Sequence, residues 1–265
     1  MRAPPIWIVP CALLAGCATL PDGRLWGDTA TISPGWERVS SAASQAARDP
    51  WVWAPLASAA VLQINSWDRE VSDWAIRETP VFGSQQNAGD WSDHLHSTAI
   101  FADFTTIILA PSGDDAHTWF KNKAKGYAVE FAATSAAQLT THVLKSTTGR
   151  TRPSGSNDES FPSGHATTSA TYSRLAARNL DYLDLMPATR RGLTYGLDAI
   201  TVATAWSRVE AGDHYPADTL FSIALGNFMA NFFKNAFMES GSSPKEDAAV
   251  VPTDGGLMLQ FSARF

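Results

Sequence analysis

From Thr118 to about Ser146 the chain is alanine-rich, with Phe120, Ala124, Tyr127 and Phe131 recurring at three- and four-residue spacing. That period belongs to one long helix and not to a strand, whose faces alternate every second residue. The residues around it extend the helical reading. Pro111 to Asp115 is a turn cluster, and Gly149 to Phe161 is a loop of Gly, Ser, Asn and Pro. Ser163 is placed to open a helix that runs to roughly Leu180, Pro187 starts another to about Ala211, and Pro216 starts a last one ending near Met238. Upstream, Trp36 to Arg48, Trp51 to Arg77 and Leu95 to Leu109 also read as helical. Only Gly256 to Phe265 partly alternates like a strand. Its terminal Phe resembles the last strand of outer-membrane β-barrels, but one strand makes no barrel, so an edge or tail strand is expected.

The 265 residues, 45% hydrophobic and 17% charged, suit a folded protein with ample core. A net charge of −6 gives no electrostatic case for a nucleic-acid partner, for which a basic stripe would be expected. Against that background Lys145, Arg150, Arg152 and Arg208 form a local basic group, better suited to a small anion than to a polymer.

Both cysteines, Cys11 and Cys17, stand near the N-terminus. Arg2 precedes a short apolar run, Ile6 to Gly16, with the character of a secretory h-region. Leu14-Ala15-Gly16-Cys17 resembles the lipobox of bacterial lipoproteins. That resemblance implies cleavage before Cys17 and a diacylglycerol on its thiol, with Ala18 favouring the outer membrane. A plain secretory signal with an incidental Cys17 is the alternative. On the lipoprotein reading residues 1–16 are a signal peptide and 17–35 a tether, and the product is exported and lipid-anchored in the periplasm. No thiol is then left for a disulfide or a metal. Residues 36–116 form a tryptophan-rich helical region, 117–240 the core, and 241–265 a polar linker with the strand-like tail. No other segment offers the roughly 20 apolar residues of a membrane span: Pro50 to Trp67 is interrupted by polar residues and proline, and Thr219 to Phe233 is too short.

Three blocks carry the chemistry. They are Lys145 with Arg152-Pro153, then Pro162-Ser163-Gly164-His165, then Ser207-Arg208 with His214 and Asp218. They supply three cations, two histidines, a hydroxyl and a carboxylate. Phosphoryl transfer needs charge neutralisation on the equatorial oxygens, an in-line nucleophile and a proton for the leaving oxygen, and each has a candidate here. Lys145 ends a helix and Arg152 lies in the following loop, while Arg208 ends another helix and can offer a bidentate fork. Ser163 and Gly164 lie at a helix N-terminus, where backbone N–H groups and the dipole favour an anion and glycine allows close approach.

In this order and spacing the blocks resemble the superfamily of type 2 phosphatidic acid phosphatases, bacterial class A acid phosphatases and vanadium haloperoxidases, whose signature reads K-x6-R-P, P-S-G-H, S-R-x5-H-x3-D. The resemblance covers roughly Thr118 to Met238. It implies a helical bundle of about six helices around a phosphate pocket, built without cofactor or metal. It also implies that His214 is a nucleophile forming a phosphohistidine, and that His165 protonates the leaving oxygen and then activates water. Asp218, one helical turn beyond His214, is expected to accept a hydrogen bond from its far ring nitrogen. Lys145, Arg152, Ser163, Gly164 and Arg208 would bind the phosphate. The implied activity is metal-independent hydrolysis of phosphomonoesters or pyrophosphates, with a lipid-linked substrate and a membrane reached through the N-terminal lipid. A vanadium-dependent haloperoxidase and a structural lipoprotein with a relict site are the alternatives.

Other polar residues are left outside this scheme. Asp90, Asp93, His94 and His96 have a spacing that could suit a metal but read more simply as an ordinary loop-to-helix region. His117 and His142 read as structural, Asp213 either raises the His214 pKa or faces water, and Gly149, Thr151, Gly212 and Tyr215 receive no role. Seven tryptophans lie between Trp26 and Trp91. They suit either helix packing onto the core or a membrane interface, and packing is the expected reading.

Overall fold

The computed structural model describes residues 22–238, 247–253 and 256–262. The signal segment, the lipobox with Cys17, the start of the tether and the polar linker after Glu239 lie outside the described residues. Eight α-helices follow one another among the described residues, two more than expected: α1 (Trp36–Arg48), α2 (Pro50–Leu62), α3 (Trp67–Glu78), α4 (Gln85–Leu109), α5 (Ala116–Thr148), α6 (Gly164–Asn179), α7 (Pro187–Glu210) and α8 (Pro216–Phe233). The strand-like tail is a hairpin, β1 (Asp247–Thr253) paired antiparallel with β2 (Gly256–Ser262), Val250 standing opposite Leu259.

Local chemistry sets the boundaries. Asp115 accepts the N–H groups of His117 and Thr118, each at 3.0 Å, and so starts α5. Gly149, at φ 54°, ends it in the left-handed conformation that glycine adopts without strain. The single segment expected from Trp51 to Arg77 is two helices, because Asn65 and Ser66 both adopt positive φ and break it between α2 and α3. α4 starts ten residues earlier than expected, at the Ser84 cap, whose hydroxyl accepts the Asn87 N–H at 3.1 Å. Asp90, Asp93, His94 and His96 are therefore helical.

α6 is the central helix, packed against α4, α5, α7 and α8. It can be surrounded because its buried positions are small: Ala166, Thr167, Thr168, Ser169, Ala170, Thr171 and Ser173. Gly226 on α8 lets that helix approach closely, since a Cβ there would stand 2.7 Å from the Ala170 Cβ. The described part of the expected tether is not free chain. Trp26 is fully buried, with Gly126 of α5 leaving room for its ring, and its backbone N–H donates to the Pro111 carbonyl at 2.7 Å.

Beneath Trp26 lies a buried polar network. Lys234 Nζ donates to Glu130 Oε1 at 3.0 Å and to Asn179 Oδ1 at 2.7 Å; Trp26 Nε1 donates to the same Asn179 oxygen, also at 2.7 Å. Asp103 accepts from Asn179 Nδ2 at 3.3 Å. Burial and the neighbouring Glu130 hold its carboxyl well above the usual carboxylate range. Removing one member of such a pair leaves a charge without compensation, at a cost of about 3–5 kcal/mol. The network therefore ties the Trp26 segment, α4, α5, α6 and the turn after α8 into one unit.

α5 carries its aromatic stripe outward. Its buried face holds Asn122, Lys123, Gly126, Val129 and Glu130, whereas Phe120, Tyr127 and Phe131 are exposed. Phe101, Phe104 and Ile108 of α4 are also exposed, and Phe104 stands 6.1 Å from Tyr127. Of the seven tryptophans, Trp26 is buried and Trp51 half-buried, but Trp36, Trp53, Trp67, Trp74 and Trp91 are exposed, Trp36 at 79%. Core burial is thus strongest for the first two, while Trp74 lies against Trp206 at 6.2 Å and Trp91 against Phe82 at 6.5 Å on the surface. Among the described residues no helix is long and apolar enough to cross a membrane.

Candidate active site

The three blocks meet at one end of the bundle. Lys145 comes from the last turn of α5, and Arg150, Arg152 and Ser160 from the loop that follows. Ser163, Gly164 and His165 come from the start of α6, Arg208 from the end of α7, and Asp213, His214 and Asp218 from the turn into α8. The cations converge closely enough to feel one another. Lys145 is held below the usual lysine range by burial and then by Arg152, with Arg208 also contributing. Arg208 is itself pushed down, chiefly by burial.

Asp213, without a settled role in the sequence, bridges the two guanidinium groups. Its Oδ1 accepts from Arg152 Nη1 at 2.7 Å and its Oδ2 from Arg208 Nη2 at 2.6 Å. A buried Nε is left on each of these arginines without a hydrogen-bond partner among the described residues. Ser92 of α4 supports Arg208 from behind, accepting from Nη1 at 3.3 Å. A guanidinium held by one edge and unsatisfied elsewhere is prepared for an anionic acceptor.

His214 is almost fully buried, and its Nδ1 lies 2.5 Å from the Ser160 carbonyl. A carbonyl only accepts, so Nδ1 carries the proton and Nε2 presents the lone pair. Burial, followed by Arg208, pushes the imidazole well below its usual range and keeps it neutral.

Asp218 does not make the expected bond to His214. The expectation counted one helical turn from His214 to Asp218, but α8 starts at Pro216, as expected, and His214 precedes it in the turn. The Asp218 carboxylate instead folds back on its own helix start, accepting the Tyr215 N–H at 3.0 Å and the Ser160 hydroxyl at 2.6 Å. It also pairs with Arg150. Its link to His214 is therefore indirect: Ser160 gives its hydroxyl to Asp218 and its carbonyl to the imidazole.

Arg150 belongs to this second layer. Its Nη2 pairs with Asp68 of α3 at 2.7 Å, and its guanidinium lies over the Tyr215 ring at 4.1 Å. Asp68 in turn accepts the Ala217 N–H at 2.7 Å. Sequence reasoning counted Arg150 only as nearby charge and missed Asp68, Ser92 and Ser160. None of these stands out by residue type or spacing; only the meeting of separate elements brings them in.

Ser163 caps α6 through its hydroxyl, but its own N–H donates to Ser222 Oγ at 2.8 Å. Of the two backbone donors expected to face an anion, the one on Ser163 is therefore occupied. The N–H groups of Gly164 and His165, in the first turn, have no intrahelical acceptor. The space beside Gly164 is open, with nothing within 4 Å of where a Cβ would stand. His165 Nε2 lies 2.9 Å from Asp93 Oδ1, and its ring is 4.9 Å from that of His96. Two members of the supposed metal cluster thus face the site, while Asp90 and His94 stay exposed. Among the described residues no group of three or more His, Cys, Asp or Glu side chains is placed to hold a metal ion. His117 and His142, read as structural, are exposed.

Residues 126–241 match the model of the PAP2 superfamily. The structure is similar to the crystal structure of the first transmembrane PAP2-type phosphatidylglycerolphosphate phosphatase from Bacillus subtilis. The TM-score is 0.52 at 21% identity, over 69% of this chain and 91% of that one. That likeness is one of fold. No curated protein matches the sequence. Over residues 126–241 the chain is similar to the PAP2 superfamily, and that match supports a phosphoric ester hydrolase.

Proposed function

We propose that the protein is a metal-independent phosphatase that hydrolyses phosphomonoesters or pyrophosphates of lipids through a phosphohistidine. The observation that carries this reading is the convergence of Lys145, Arg152 and Arg208 beside a neutral, tautomerically fixed His214. The three cations neutralise the phosphoryl oxygens, and the free N–H groups at the start of α6, which the Ser163 hydroxyl caps, donate hydrogen bonds to them. His214 Nε2 attacks phosphorus, and the leaving oxygen takes a proton from His165. Neutral His165 then accepts a proton from the water that hydrolyses the P–N bond, which restores both histidines and releases phosphate.

In this scheme the charge that metal ions supply in other phosphoryl-transfer enzymes comes from side chains. Hydrolysis of an alkyl phosphate should therefore persist after dialysis against EDTA and be blocked by vanadate, which mimics the transition state. Activity lost in chelator and restored by magnesium or zinc would contradict the mechanism.

The lipid assignment is supported by the surface. Phe101, Phe104, Phe120, Tyr127 and Phe131 expose an aromatic face, and contiguous exposed apolar surface marks an interaction site. The similar structure is itself a phosphatidylglycerolphosphate phosphatase. We further propose that the chain is exported and held at the periplasmic face of the outer membrane through a lipid on Cys17. Cys17→Ser should remove incorporation of labelled fatty acid; labelling that persists in this variant would exclude the lipobox reading.

A further inference from the structure

His165 has one ring nitrogen engaged from outside the three blocks. Asp93, on the third turn of α4, places Oδ1 2.9 Å from His165 Nε2. α4 lies outside residues 126–241, so the superfamily match does not include this partner. We propose that Asp93 is a positioning residue for His165: its carboxylate accepts the Nε2–H, fixes the ring, and leaves Nδ1 to exchange protons with the substrate. This inference rests on the role of His165 as general acid. In the first step Nδ1–H passes its proton to the leaving oxygen. In the second, Nδ1 takes a proton from the attacking water, and Asp93 remains a carboxylate throughout.

The charged and titratable groups facing His165 make Asp93 the relevant one. They are Asp93 and His96 from α4, Arg208 from α7, and Asp213 from the turn before α8. Burial and Arg208 push the His165 imidazole below its usual range, and Asp93 and Asp213 oppose them. Asp213 already has both oxygens engaged by Arg152 and Arg208. His96 is held neutral, chiefly by burial, and adds no favourable charge. Asp93 is the carboxylate left to stabilise the imidazolium. Its side chain is 71% exposed, so solvent screens the effect.

The sign follows from the chemistry. A general acid must be protonated, so kcat/KM falls as pH rises through the His165 pKa. Asp93→Asn removes the charge that favours the protonated form and should move this alkaline limb lower. On that limb kcat/KM for an alkyl phosphate should fall about two- to fivefold. An aryl phosphate, whose leaving group needs little protonation, should be nearly spared, and Asp93→Glu should recover part of the profile. The test is the pH profile of kcat/KM for both substrates in wild type, Asp93→Asn, His165→Ala and the double variant, with thermal transitions to confirm folding. If Asp93 acts through His165, Asp93→Asn should add nothing in the His165→Ala background. An Asp93→Asn profile that overlays wild type, or an equal loss in both backgrounds, overturns the inference while leaving His165 as the acid. A His165→Ala variant that damages aryl and alkyl substrates alike in the phosphorylation step removes the general-acid reading, and the Asp93 role falls with it.

Discussion

His214→Ala should abolish turnover of every phosphate ester, alkyl or aryl, lowering kcat by about 10⁴-fold or more. The size of the effect follows from what the residue does. In the proposed mechanism it forms the covalent bond, so a better leaving group cannot compensate for its loss. Its side-chain hydrogen bond, from Nδ1 to the Ser160 carbonyl, matters for tautomer more than for stability. The variant should therefore fold, as a cooperative thermal transition would show, while p-nitrophenyl phosphate and an alkyl phosphate are both inert. Substantial residual activity on the aryl ester would mean that another group, or water directly, attacks phosphorus.

Arg208→Ala should be the next most damaging change, lowering kcat/KM by about 10²–10³-fold. In the proposed site Arg208 carries one side of the anion pocket; it also holds Asp213 and is the leading charge acting on His214. Its removal takes a guanidinium from the developing charge and leaves Asp213 held by Arg152 alone, closer to an unpaired anion inside a phosphate site. Arg208→Lys should recover little. One ammonium cannot hold Asp213 while presenting a second donor edge to phosphate. The measurement is kcat/KM for both variants on one soluble ester; a lysine variant near wild type would show that charge alone suffices there.

The sequence made some of this legible and not the rest, for physical reasons. Helices opened by Pro187 and Pro216, or closed by Gly149, were readable because backbone chemistry acts within a few residues. The break at Asn65 and Ser66 was not, because both residues also tolerate helix. The outward stripe of α5 has helical spacing, so its period gave the helix, but period alone does not say which face is buried. Here the buried face is polar because it meets Lys234, Asn179 and Trp26. At the site, the motif residues do assemble at one end of the bundle. The Asp218 contact was misjudged because His214 lies before the Pro216 helix start, so the four-residue step from one to the other is not one helical turn. Asp213 as a bridge, Arg150 with Asp68, and Asp93 against His165 depend on elements far apart in sequence.

The claim at the centre of this account is the covalent bond between phosphorus and His214 Nε2. The direct measurement is rapid acid-free quench of wild-type enzyme with ³²P-labelled ester at substrate excess, followed by peptide mapping. The account predicts a phosphoenzyme that is stable in base and labile in acid, mapped to Nε2 of His214, more abundant in His165→Ala as dephosphorylation slows, and missing in His214→Ala. Burst kinetics without any labelled protein, or label on a residue other than His214, would contradict it.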